Sequence, residues 1–206
     1  MLGRLVLAKD VDVNSISYDS SATGFSRMVP VSYMGGPLVL QTPEMLGAVS
    51  MEDDTLQVQL SFKNMAVRPG LAAFHSVLSN MDNRTEQHFE GLAFTILPQV
   101  YKERRDGTDE FFNITIPVLG GEEASCPITD SAGKKVTLQD LTAHDLMGWR
   151  VTAIIKCLGV WVAIGRYGVS WQVTALRCDP HRRVTMLPDD DHIPLDPAAE
   201  STATAT

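Results

Sequence analysis

Apolar and polar residues alternate with a period of two through much of this chain. From Thr55 to Phe62, Leu56, Val58, Leu60 and Phe62 share one face and Gln57, Gln59 and Ser61 the other, the pattern of a half-buried strand. Phe112, Ile114, Ile116 and Val118 repeat it, which sends Phe111, Asn113 and Thr115 to the opposite face, before Gly120-Gly121 closes the strand. Upstream, Val29, Val31 and Tyr33 alternate ahead of Met34-Gly35-Gly36-Pro37, and Leu38-Val39-Leu40 returns. This predicts a hairpin over 27–40, ended by Thr42-Pro43 because proline cannot donate to a ladder. Leu92 to Tyr101 reads as another strand, followed by a charged turn from Lys102 to Asp109.

Two long apolar runs, Trp149 to Ile164 and Tyr167 to Cys178, are rich in Val, Ile and Trp. Their β-branched content predicts strands, and the link Gly165-Arg166 suits a tight hairpin, expected to be the central pair of the sheet. Helical spacing is confined to Leu71, Phe74, His75, Leu78 and Met81. It predicts one helix opened by Arg68-Pro69-Gly70 and continuing to about Phe89 before Gly91, with a further short helical turn over 138–146. About seven short strands around one mid-chain helix predict a mainly β fold, a small closed or partly closed barrel, with a sandwich as the other option.

Composition narrows the class. The chain has 206 residues, 44% hydrophobic and 20% charged, enough for one core and short for two. We expect one domain over 1–180 and a tail over 181–206. In that tail Pro188, Pro194 and Pro197, the aspartates and a Ser/Thr/Ala ending leave almost nothing to bury, so it is expected to be disordered. The formal charge is -8, but Asp189, Asp190, Asp191, Asp196 and Glu200 sit in the tail, so the body is only mildly acidic. No run approaches the ~20 apolar residues of a membrane span, and Met1 to Lys9 is too brief for a signal peptide. Three widely spaced cysteines fit a reducing compartment. An intracellular location is expected. The glycosylation triplets at Asn83 and Asn113 then read as coincidence.

Catalytic constellations are lacking: no phosphate-binding glycine loop, no GxSxG, no HExxH. Cys178 and His181 with His192 nearby run into the tail and do not make a firm metal site. The neighbours Glu52 and Asp53, or Glu122 and Glu123, point to opposite faces if extended and do not converge on a substrate. The chain is therefore read as a non-enzyme without metal or cofactor.

What remains is a set of aromatics and cations at strand ends and turns: Lys102, Arg104, Arg105 and Phe111 around one bend, and Trp161, Arg166 and Tyr167 around the last hairpin, with Lys156 along its arm. Bases stack on aromatics at ~1–3 kcal/mol each while cations follow phosphates, so this combination suits single-stranded nucleic acid. Trp171 alternates with Val169 and Val173 and reads as core; Trp161 reads either way; Arg166 and Tyr167, at a turn, read as exposed.

Four stretches together resemble a known family. They are Val31-Ser32-Tyr33 through Pro37-Leu38-Val39-Leu40-Gln41-Thr42-Pro43-Glu44-Met45; the helix Phe74-His75-Ser76-Val77-Leu78-Ser79-Asn80-Met81-Asp82; Tyr101-Lys102 with the basic turn and Phe111-Phe112; and Gly159-Val160-Trp161 with Tyr167-Gly168-Val169-Ser170-Trp171-Gln172-Val173. The chain resembles the single-stranded-DNA-binding proteins of nucleocytoplasmic large DNA viruses, a group similar to the T7-type phage single-stranded-DNA-binding proteins with an OB-fold. The likeness spans roughly residues 5–178.

It implies an OB-fold-like barrel that binds DNA single strands without sequence preference in viral DNA replication, recombination or repair, in the host cytoplasm (virus factory) or nucleus. On the single-stranded-DNA reading the barrel presents a groove in which Lys102, Arg104, Arg105, Lys156 and Arg166 are expected to touch phosphates and Phe111, Trp161 and Tyr167 to stack bases. An acidic tail is a family-like feature, expected either to fold back over the groove and compete with DNA or to meet basic patches on replication proteins; this tail ends Ala203-Thr204-Ala205-Thr206 and lacks the aromatic terminus of the phage relatives. Self-association is left open. The competing reading is a virion structural or scaffold protein built as a β sandwich, which fits the acidity.

Overall fold

A computed structural model describes residues 5–19, 28–52, 55–91, 93–102, 109–119, 123–142 and 149–179. The expected disordered tail and the cations Arg104 and Arg105 lie outside the described residues.

Five long strand segments make the frame. β5 (Val39–Gln41) and β6 (Met45–Glu52) act as one strand bent at Thr42-Pro43. β7 (Thr55–Ser61) pairs antiparallel with β6, and β10 (Glu110–Leu119) pairs antiparallel with β7. β13 (Trp149–Ala163) and β14 (Arg166–Asp179) form the long terminal hairpin, and β13 returns to pair with both β5 and β6. The order around the wall is thus β5/β6, β7, β10, then β14, β13 and back to β5/β6. β10 and β14 approach each other without pairing, so the barrel has an open seam there. This is the mainly β, OB-like architecture expected, in its partly open form.

Short strands decorate the frame. β1 (Leu5–Leu7) runs parallel to β5. β2 (Ile16–Tyr18) pairs with β4 (Val31–Tyr33), and β3 (Met28–Val29) joins β13. β8 (Thr95–Ile96) lies along the start of β14, and β9 (Val100–Lys102) pairs with the start of β10. β11 (Glu123–Ala124) closes a hairpin on β10, and β12 (Ile128–Thr129) lies along the end of β14.

The alternation seen in the sequence is the core. Leu56, Val58 and Leu60 are fully buried, and Phe112, Ile114 and Ile116 face them across the ladder. α1 (Pro69–His88) starts at the proline, whose missing N–H costs nothing in a first helical turn. It drops Leu71, Phe74, Leu78 and Met81 onto the barrel, where Phe74 packs edge-on to Phe112 at 5.5 Å and tilted to Phe62 at 5.9 Å. α2 (Leu138–Thr142) is the described part of the helical turn expected over 138–146.

Three expectations need correction. The hairpin over 27–40 is not a ladder: Tyr33 meets Gly36 in a single bridge, β4 turns to β2, and β5 turns to β13 and β1. The last hairpin turns on Ile164-Gly165, not Gly165-Arg166. Both turn residues have positive φ (49° and 71°), as a two-residue type I′ link requires, and Ala163 pairs with Arg166. The strand expected over 92–101 is two short pieces, β8 and β9, separated by Leu97-Pro98-Gln99. Among the described residues, no helix is long and apolar enough to cross a membrane.

Candidate nucleic-acid interface

The outward residues of β7 and β10 are set by the same alternation that builds the core. Cross-strand pairing places Phe111 beside Ser61, Asn113 beside Gln59 and Thr115 beside Gln57. β9 adds Tyr101 opposite Phe111, with ring centroids 6.0 Å apart. The result is a face of amides, hydroxyls and two aromatic rings, with no charged side chain in its centre among the described residues. In an OB barrel the outer face of the second and third strands, here β7 and β10, is where oligonucleotides bind.

Tyr101 is held at both sides of its hydroxyl. Gln59 Nε2 donates to it at 2.6 Å, and the hydroxyl donates to Asn113 Oδ1 at 2.6 Å. The ring is pinned upright between strands before any ligand arrives, which lowers the ordering cost of binding.

Beside this face the open seam forms a cleft of about 310 Å³, lined by Leu97 to Gln99, Tyr101, Phe112 to Thr115, Trp161 and Gly168 to Trp171. Trp161 belongs to β13 yet reaches the seam by crossing Gly168, its pairing partner on β14. Trp171 is half-buried in the same cleft and is fixed from behind. Its indole N–H donates to Gln99 Oε1, while Gln99 Nε2 donates to Asp82 Oδ1 at 2.8 Å and to the Leu78 carbonyl at 3.1 Å. The Gln99 backbone N–H donates to Asp82 Oδ2 at 2.9 Å. Burial pushes the Asp82 carboxyl above its ordinary range, against the two Gln99 bonds that pull it down.

Two expected cations lie within two residues of cleft-lining positions. Lys102 is exposed and lies 3.6 Å from Glu110, which also receives His75 Nε2 at 2.8 Å. Arg166 is exposed at the hairpin end. Lys156 pairs with Gln172 and Val39 on a different part of the wall; β14 separates its strand from β10, and five residues, roughly 15 Å, separate it from Trp161.

Of the expected residues, Trp161 lines the cleft, Phe111 packs against cleft-lining Tyr101, Lys102 follows Tyr101 on β9, Arg166 lies two residues before Gly168 on β14, and Lys156 stands apart. Tyr167 is a correction. Expected to be exposed, it is 3% exposed and packs against Phe89 at 4.9 Å, so it has no open face for a base. It shares the inward parity of Val169 and Val173. The sequence reading did not single out Tyr101, Asn113, Gln59, Gln99 or Gly168 as site residues. The outward parity of Asn113 with Phe111 was a usable signal; the others come together only through register.

Among the described residues no three His, Cys, Asp or Glu side chains converge on a metal-sized site. All three cysteines are buried and free, with the Cys157 and Cys178 thiols pushed up to about 12 by burial, which leaves them as thiols.

No protein-family model matches the chain, and no curated protein matches it. Among solved structures, the chain is similar to the single-stranded DNA-binding protein from bacteriophage Enc34 in complex with ssDNA (9% identity, TM-score 0.47, 79% of this chain and 95% of that one). It is also similar to gp2.5, a single-stranded DNA binding protein encoded by bacteriophage T7 (13% identity, TM-score 0.40, 83% of this chain and 100% of that one).

Proposed function

We propose that this chain binds single-stranded DNA across the outer face of β7 and β10 and the adjoining seam, largely independently of base order. The observation that carries the reading is the uncharged, preordered face itself: Tyr101 locked between Gln59 and Asn113, Phe111 beside it, and Trp161 leaning in over Gly168. Exposed amides and aromatic rings of this kind suit base faces and edges, which only an unpaired strand offers freely. In this reading the exposed Lys102 and Arg166 take the phosphates.

The resemblance noted in the sequence supports a place in viral DNA replication, recombination or repair inside the host cell, with the acidic tail meeting replication proteins.

The test is tryptophan fluorescence of the full chain titrated with oligo-dT, repeated with Trp161→Phe and with Trp171→Phe. Quenching that is lost in Trp161→Phe and kept in Trp171→Phe is expected, since the Trp161 indole lies over Gly168 as a wall of the cleft while the Trp171 indole N–H is tied to Gln99. No quenching and no gel shift at micromolar protein and low salt would overturn the reading in favour of a structural, protein-contacting role.

A further inference from the structure

We propose that the cleft at the open seam is a subsite for one nucleobase and that Asn113 reads the C4 substituent of a pyrimidine or the C6 substituent of a purine there, favouring the carbonyl of thymine and guanine over the amine of cytosine and adenine. The inference rests on the single-strand reading and adds a modest base preference at one position to it.

The cleft has the properties of a base pocket rather than a phosphate groove. None of its lining residues is charged. At about 310 Å³ it lies at the lower end of the ~300–1,000 Å³ of small-ligand clefts, room for one heterocycle. One wall is the Trp161 indole, which can lie across the strand because Gly168 has no side chain: a β-carbon there would stand 3.1 Å from the ring.

With the Gln59 and Asn113 amides oriented as they stand, hydrogen-bond bookkeeping gives the cleft its polarity. A phenol has one hydrogen. Gln59 Nε2 donates to the Tyr101 oxygen, so that hydrogen is directed to Asn113 Oδ1. With its oxygen occupied, Asn113 presents its NH2 group to the cleft, and no described residue accepts from it. The Trp171 N–H and both ends of the Gln99 amide are already engaged with each other, Asp82 and Leu78. Ser170 and Thr115 bring hydroxyls, which rotate to suit either partner. The side-chain group of fixed sense is therefore a donor. A C4 or C6 carbonyl oxygen satisfies it; an exocyclic amine at the same position sets N–H against N–H and leaves both unpaired.

The experiment is fluorescence anisotropy of the full chain with labelled oligo-dU, oligo-dT and oligo-dC of equal length at one salt concentration. Uracil and cytosine differ in the very edge Asn113 would read. Oligo-dU and oligo-dT are expected to bind roughly three- to tenfold more tightly than oligo-dC, the span of one net hydrogen bond. Asn113→Ala should remove the difference by weakening dU and dT relative to dC. Tyr101→Phe, which frees the Asn113 amide to turn over, should also remove it. Equal affinity of the unaltered chain for dU and dC, or a preference that survives Asn113→Ala, overturns the subsite but not the single-strand reading. Binding to none of the three overturns both.

Discussion

The Trp161 indole lies across Gly168: a β-carbon added to that glycine would stand 3.1 Å from Cζ2 and 3.2 Å from Cε2 and Nε1 of the ring. The two residues are cross-strand partners, so the ring is held by register and by the lack of a side chain opposite. Gly168→Val should lift the indole out of the seam. Affinity for oligo-dT is expected to fall by the value of one stacked base, ~1–3 kcal/mol. Stability should fall by about 1–3 kcal/mol, as for other overpacked sites. Anisotropy and urea unfolding on the same samples separate the two; undiminished affinity would remove Trp161 from the interface.

Salt dependence distinguishes the cations. Each phosphate neutralised on a single strand contributes about -0.7 to the slope of log K against log salt. Lys102→Ala and Arg166→Ala should each flatten the slope by about that amount. Lys156→Ala should leave it unchanged, because Lys156 sits on a part of β13 that faces Val39 and Gln172 rather than the seam. A slope change for Lys156→Ala equal to the others would mean the strand follows a different path.

The sequence made the core strands legible because their alternation is unbroken: β7, the body of β10 and the last hairpin were read correctly to within a residue or two, as was α1. β6 escaped because Gly47, Ala48 and Ser50 dilute its pattern. Its glycine is there for packing, since a β-carbon at Gly47 would lie 2.7 Å from Val151 Cγ2. The single bridge at Tyr33 and Gly36 escaped for a different reason, because local turn signals cannot say that both arms find better partners far along the chain. In the site, Phe111 and Trp161 were legible as outward or doubtful aromatics. Tyr101, Gln59 and Asn113 come from β9, β7 and β10, and only register makes them neighbours. Tyr167 was misread by giving turn proximity more weight than its shared parity with Val169 and Val173.

Gly159 should tolerate nothing larger. Its φ of +136° lies where side chains are strained, and a β-carbon would come within 2.4 Å of the Val29 carbonyl oxygen, which belongs to the backbone and cannot swing away. The residue also marks a register shift in the β13–β14 ladder. Gly159→Ala is expected to cost about 2–4 kcal/mol from strain and overlap together. Urea unfolding measures it. A loss below about 1 kcal/mol would show that β3 leaves β13 at little expense.

Asp82 links the helix to the seam, and its charge should be visible in the pH dependence. Burial raises its carboxyl above the ordinary aspartate value, so the folded chain holds that proton to higher pH than the unfolded chain does. Stability from this group is therefore greater on the acid side and falls as pH rises from the ordinary value through the raised one. In Asp82→Asn that step is absent, while an amide N–H now opposes one of the two Gln99 donors, a cost of about 1–3 kcal/mol. The stability advantage of the unaltered chain over Asp82→Asn should thus shrink as pH is raised through that window. Because Gln99 also holds the Trp171 indole, the variant should loosen that ring and shift its emission. Urea unfolding at a series of pH values from 3.5 to 7 tests the sign. An advantage that grows with pH would mean that the Gln99 bonds, not burial, dominate the carboxylate.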